Sequence, residues 1–192
     1  MAVRPITIIG HKALHQPTKK VKEITDEIRT LVADMFDTME AAHGVGLAAN
    51  QVAARQRIFV FDCPAEDENE PNYVGVIVNP VLEKGVVPPG EPDEDEGSEG
   101  CLSVPGEHFP TPRADWARVT GTDLDGNPVS YEGTGLFARC LQHETDHLDG
   151  KLYLERLTPS QRDLSRQARK ERGWEADGIT KWDPATQKAD KV

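Results

Sequence analysis

The sequence predicts an α+β fold: mixed antiparallel β-sheets around a central helix that carries the string His143-Glu-Thr-Asp-His147, with a further helix toward the C-terminus. Three observations predict it. Apolar residues recur at three- and four-residue spacing in two well-separated segments. Runs rich in β-branched and aromatic residues come bounded by turn signals. Strands do not alternate one by one with helices, as a doubly wound sheet would require.

In residues 25–42, Ile28, Leu31, Val32, Met35, Phe36 and Met39 share one helical face. Thr25 can cap its start, Asp26 and Glu27 suit the first turn, and Gly44 follows the end. His43 to Gln51 is small and glycine-rich, which lets backbone approach closely. RIFVFD (57–62) and VGVIVNPVLE (74–83) read as strands around a polar loop at 64–73. The Pro, Gly and acid-rich stretch 88–100 reads as a surface loop. WARVTGTDL (116–124) and PVSYE (128–132) flank Asp125-Gly126, a hairpin signal. A second helix runs from about 134 to 148 and stops before Gly150. A third, exposed helix covers 159–172, and the tail after Trp174 is expected to be poorly ordered. One domain over 1–158 thus precedes an exposed helix and tail over 159–192.

Bulk properties narrow the function. A chain of 192 residues can bury a core without covalent staples. Three cysteines, Cys63, Cys101 and Cys140, are an odd and sparse set, which speaks against a disulfide framework and for a reducing compartment. The N-terminus holds only a short apolar run, Ile6 to Ile9, and no window approaches the ~18 apolar residues of a membrane span. The expectation is a cytoplasmic protein with no membrane partner. A net charge of −11 argues against DNA as the main ligand. Residues 91–99 are strongly acidic, and that run reads as a solvated loop.

The chemistry lies in His143-Glu-Thr-Asp-His147. Residues four apart on a helix are neighbours, so two imidazoles can grip one metal ion while Glu144 reaches an adjacent water. Phe137, Leu141 and Leu148 flank that face, so the histidines should point into the fold. Two surface histidines on an amphipathic helix would give the same string. A third ligand separates the readings, and Cys101, in Glu99-Gly-Cys-Leu-Ser103, is available, with Gly100 giving its backbone freedom. Three protein ligands leave a place for water, the pattern of a catalytic rather than a structural ion. Cys63 and Cys140 compete for the role, although Cys140, one turn before His143, suits apolar packing better.

Three motifs stand in order: Gly44-Val-Gly-Leu-Ala-Ala-Asn-Gln51, Glu99-Gly-Cys-Leu-Ser103 and Gln142-His-Glu-Thr-Asp-His147. Together they resemble the signatures of the bacterial peptide deformylase family, and the likeness extends from about residue 5 to 158. The stretch VPGEHFPTPRADWARVTG and the extended 88–98 loop are similar to an actinobacterial branch. The resemblance implies removal of the formyl group from N-formylmethionyl nascent peptides. It implies Cys101, His143 and His147 as ligands and Glu144 as general acid/base. Gln51 and the backbone N–H of Leu102 would be oxyanion donors, and Gly46 a contact to substrate backbone. Val45, Leu136 and Cys140, with part of His143, would wall the methionine pocket, although Val45 and Leu136 also suit ordinary core packing. Arg139 lies near its mouth. The implied ion is Fe2+, with Zn2+, Ni2+ or Co2+ able to replace it; the donor set alone would suggest zinc. Glu99 and Arg113 fit two readings, an ion pair behind Cys101 or two solvated charges.

Two rivals share these features. A general metallopeptidase carries the same helix string, but its third ligand usually follows as His or Glu, whereas Cys101 precedes His143 by 42 positions. A structural metal module would need a fourth ligand and gives Glu144 no task. A weak ribosome contact through Arg162, Arg166, Arg169, Lys170 and Arg172 of the C-terminal helix is compatible with the deformylase reading.

Overall fold

The computed structural model describes residues 2–67, 69–95, 97–173 and 180–189. Helix α1 (Asp26–Ala41) buries the predicted stripe of Ile28, Leu31, Val32, Met35 and Met39. Gly44 follows its end as expected, and the left-handed residue is His43 (φ 54°). His43 N–H donates to Glu40 O and Gly44 N–H to Met39 O, the paired bonds that close a helix C-terminus. Gly44 is glycine for another reason: a Cβ there would lie 2.8 Å from a Leu102 methyl.

Strands β1 (Ile6–Thr7), β2 (Gly46–Ala48), β3 (Ile58–Cys63), β4 (Tyr73–Lys84), β5 (Ser98–Cys101), β6 (Val104–Pro110), β7 (Trp116–Thr122), β8 (Pro128–Thr134) and β9 (Lys181–Trp182) make three antiparallel sheets. The largest is five-stranded in the order β2-β3-β4-β7-β8; β5 pairs β6, and β1 pairs β9. Strand β3 shows why Ile58 to Phe61 form an unbroken apolar run. Phe59, Phe61 and Cys63 enter the core beneath helix α2 (Gly135–Leu148), while Ile58 and Val60 enter the core shared with α1. A strand buried on both faces has no polar alternation to show.

Helix α2 packs across the five-stranded sheet through Phe137, Ala138, Leu141 and Leu148. Phe137 stacks on Tyr73 at 4.2 Å and meets Phe61 at 5.3 Å. Burying Phe137 and Leu141 stabilises the fold by about 1.5–3 kcal/mol each. Helix α3 (Pro159–Arg172) is capped by Thr158, which accepts from Gln161 N–H, and it ends on Gly173 at φ 70°. It is mostly exposed, as expected, but Ser165 is buried and the helix leans on β6.

The hairpin expected around Asp125-Gly126 joins β7 to β8: Asp123 N–H donates to Asn127 O, and the Asp123 carboxylate accepts from Asp125 and Asn127 N–H. Two expectations need correction. Residues 98–101 are not loop but strand β5, and Glu99 on it is buried. The tail is ordered at 180–189: Ile6 pairs with Trp182, whose side chain is 2% exposed. Residues 174–179 and 190–192 of that tail lie outside the described residues.

Candidate active site

Strand β5 delivers Cys101, and one face of α2 delivers His143 and His147. Their ligand atoms all lie within 4.8 Å of one another. His147 Nε2 is 3.1 Å from His143 Nε2 and 3.2 Å from Cys101 Sγ. His143 Nδ1 lies 2.5 Å from Glu99 Oε1. An ionised carboxylate only accepts, so Nδ1 carries the proton and the Nε2 lone pair faces the cluster. Two imidazole nitrogens and a thiolate sulfur converging in this way fit one divalent transition-metal ion. Neither competing cysteine joins them. Cys140 Sγ points at Val45 O, 3.7 Å away, and Cys63 is buried beneath α2.

The positioning of Cys101 differs from expectation. Gly100 serves close approach rather than backbone freedom, because an added Cβ would collide with the His108 ring. The strand shifts register between Gly100 and Cys101, and this irregularity turns the thiol toward α2. Behind it, Glu99 and Arg113 do pair. Arg113 Nε and Nη2 donate to Glu99 Oε2 and Oε1 at 3.0 and 2.7 Å, while its Nη1 donates to Asp146 Oδ2 at 2.6 Å. Arg156 Nε donates to the same Asp146 oxygen at 3.0 Å. Burial would push the Glu99 carboxyl up, but the Arg113 charge and hydrogen bonds, with His143, pull it down to about 2. Glu99 is therefore an anion fixed between Arg113 and His143.

Gln51 sits on a short 3-10 turn, Ala49–Val52. Its Oε1 accepts from Ala48 N–H at 2.8 Å, which leaves Nε2 to donate to Ser103 Oγ at 3.2 Å beside Cys101 Sγ, 3.8 Å away. Asn50 Nδ2 locks this turn to α2 by donating to His147 O at 2.5 Å. Glu144 is 3% exposed, and its Oε2 has no partner among the described residues. Burial pushes its carboxyl up to about 7, against the pull of His143. Gly46 is bare for its sake: a Cβ there would lie 2.6 Å from Glu144 Oε1.

A cleft of about 360 Å³ opens onto these groups, with Val45, Leu102, Leu136 and Cys140 on its apolar side. Val45 and Leu136 are 37% and 48% exposed, so they line the cleft instead of packing in the core. Arg139 also lines it, with Nη1 donating to Gly97 O and Thr111 O at 3.3 and 3.1 Å. Reasoning from sequence missed Ser103, Asp146 with Arg156, and Gln142, which bridges Ala114 N–H and O. The last two lie inside the helix motif, but their partners are distant in sequence and nothing local identifies them.

The polypeptide deformylase family model matches residues 3–163. A peptide deformylase of Mycolicibacterium smegmatis is 53% identical over 189 residues, spanning 96% of this chain and 95% of the relative. That of Mycolicibacterium paratuberculosis is 54% identical over the same shares. Among solved structures, a peptide deformylase from Ehrlichia chaffeensis in complex with actinonin is 37% identical with a TM-score of 0.74, covering 89% of this chain and 98% of the other. A plant peptide deformylase is 30% identical with a TM-score of 0.75, covering 94% and 96%. The chain belongs to the polypeptide deformylase family.

Proposed function

We infer that this protein hydrolyses the N-formyl group from the N-terminal formyl-methionine of nascent polypeptides, using one divalent metal ion held by Cys101, His143 and His147. The observation that carries this reading is the convergence of those three donors beside Glu144, a buried carboxyl whose Oε2 has no partner among the described residues, in an apolar cleft. Fe2+ is the ion the family resemblance favours; Zn2+, Ni2+ and Co2+ suit the same donors. When bound, the ion supplies the Lewis acidity that makes water a nucleophile near neutral pH.

The remaining steps belong to the chain. Glu144 accepts a proton from the attacking water at a carboxylate oxygen. As the water oxygen bonds to the formyl carbon, charge grows on the formyl oxygen. Gln51 Nε2 and the Leu102 N–H meet it. Glu144 then returns the proton to the leaving amine as the C–N bond breaks, so formate and a free N-terminus result. A carboxyl held near 7 can both take and give that proton at neutral pH. Gly46 lies against the substrate backbone, and Val45, Leu136 and Cys140 receive the methionine side chain.

The rivals explain less. A structural ion leaves Glu144 without a task and the cleft without a use, and among the described residues the donor cluster has three members, not four. The reading places catalysis in residues 1–158 and a cytoplasmic site of action, where nascent chains emerge. The 159–192 segment would add a weak ribosome contact through α3, although Arg166 and Arg172 are already paired with Asp163 and Glu107. Sedimentation with ribosomes at moderate salt tests that contact; unchanged binding after neutralising the α3 cations would sink it. The main test is formate release from formyl-Met-Ala-Ser by anaerobically purified protein loaded with Fe2+, beside Glu144→Ala. Activity lost in the variant supports both reaction and base. An inactive, folded and fully metallated wild type would reject the reading.

A further inference from the structure

Trp182 lies 80 positions from Leu102, yet its indole N–H donates to Leu102 O at 2.8 Å. The same peptide unit continues on its other side: Ser103 N–H donates to Cys101 Sγ at 3.3 Å. One rigid peptide plane is thus held between an indole donor and a sulfur acceptor. A chain of this kind is cooperative, because accepting a bond at the carbonyl polarises the amide and strengthens the bond its N–H donates.

The two ends of the plane are themselves fixed. Trp182 is 2% exposed and paired with Ile6, and Ile8 N–H donates to Thr180 O at 3.0 Å. Ser103 O accepts from Ile9 N–H at 2.9 Å, and Ser103 Oγ accepts from Gln51 Nε2. Ala189, further along the same tail, lines the cleft. The C-terminal segment therefore reaches the site.

We propose that Trp182 is a positioning residue for the metal ligand Cys101, acting through the Leu102–Ser103 peptide to orient the thiolate and draw charge from it. The proposal rests on the reading of Cys101 as a ligand. Glu99 and Gln51 touch the ligand set directly; Trp182 acts one peptide further out, where outer-shell groups orient ligands and tune the ion. Without the indole N–H, the Ser103 bond weakens and the sulfur carries more charge. A more electron-rich thiolate gives up an electron more readily, so its charge-transfer absorption moves to longer wavelength.

The test uses the full chain loaded with Co2+. Trp182→Phe removes the donor and keeps an aromatic ring; Ile6→Val loosens the same strand pair and keeps the donor; Cys101→Ser removes the sulfur. The expected result is a thiolate-to-cobalt band displaced to longer wavelength in W182F and unmoved in I6V. A band in W182F that coincides with the wild type overturns the proposal, as does an equal displacement in I6V. A band that survives in C101S overturns the ligand reading itself and this proposal with it. The first link needs no variant: in wild type loaded with cadmium-113, the Ser103 amide proton should couple to the metal through sulfur. Absence of that coupling overturns the proposal even if W182F does not fold.

Discussion

Arg113 is the buried cation on which the support of the site depends, and Arg113→Met tests it. The substitution keeps an apolar stem of similar length and removes three charge-assisted bonds, two to Glu99 and one to Asp146. Removing one partner of a buried ion pair typically costs 3–5 kcal/mol, because the other charge is left uncompensated. Here each carboxylate keeps something: Glu99 retains His143 and has Arg139 at 3.7 Å, and Asp146 retains Arg156. The loss should therefore fall at the low end, about 3 kcal/mol. For a chain of this length that is a drop of about 6–12 °C in melting temperature. Urea titration of the metal-free protein, followed by far-UV circular dichroism, measures it. The decisive comparison is R113M/E99Q. If the cost comes from a stranded anion, neutralising Glu99 returns part of it, so the double variant is more stable than R113M alone. A single-variant loss under ~1 kcal/mol, or a double variant at the sum of both losses, would refute the argument.

Three further outcomes follow from the geometry. Gly46→Ala should displace Glu144 and lower kcat for formate release by about 10²-fold, with little change in melting temperature; a near-normal rate would show that the carboxylate needs no such clearance. Gln51→Ala should lower kcat by about 10²–10³-fold with metal content retained, as measured by formate release and metal analysis. Asp34 accepts from Ala2 N–H and from Arg4 Nε and Nη2, and these bonds, the Ala2 bond foremost, hold its carboxyl below the usual range. A depressed folded-state value means stability present above pH ~4 and lost as pH falls through that lower value. Asp34→Asn should thus cost about 1–2 kcal/mol at pH 7, and the gap from wild type should close in acid urea melts.

The legibility of the sequence follows the range of each interaction. Helices α1, α2 and α3 and strands β3, β4, β7 and β8 announce themselves by local periodicity and turn residues, and the structure places them within a residue or two. The candidate donors His143 and His147 are legible because they stand four apart on one helix. The assignment of Cys101 as the third, and the roles proposed for Gln51, Leu102 and Gly46, rest on the resemblance and not on spacing. What stayed hidden depends on distant partners. Ser98–Cys101 reads as loop because its acids suit solvent, and only Arg113 and His143 explain why Glu99 is buried. His43 takes the left-handed turn, while Gly44 is glycine because Leu102 occupies the space a Cβ would need. Lys181-Trp182 has too few residues for any pattern, and its partner Ile6-Thr7 lies at the other end of the chain.

The β1–β9 pair also has a consequence for biogenesis. Synthesis runs from the N-terminus, so Ile6 and Thr7 leave the ribosome long before Lys181 and Trp182 can reach them. Contacts between chain ends carry the largest loop-closure cost and form late. A newly made molecule thus waits for Lys181 and Trp182 before this sheet can close. An enzyme that serves nascent chains is itself, as a nascent chain, unfinished until that strand has emerged.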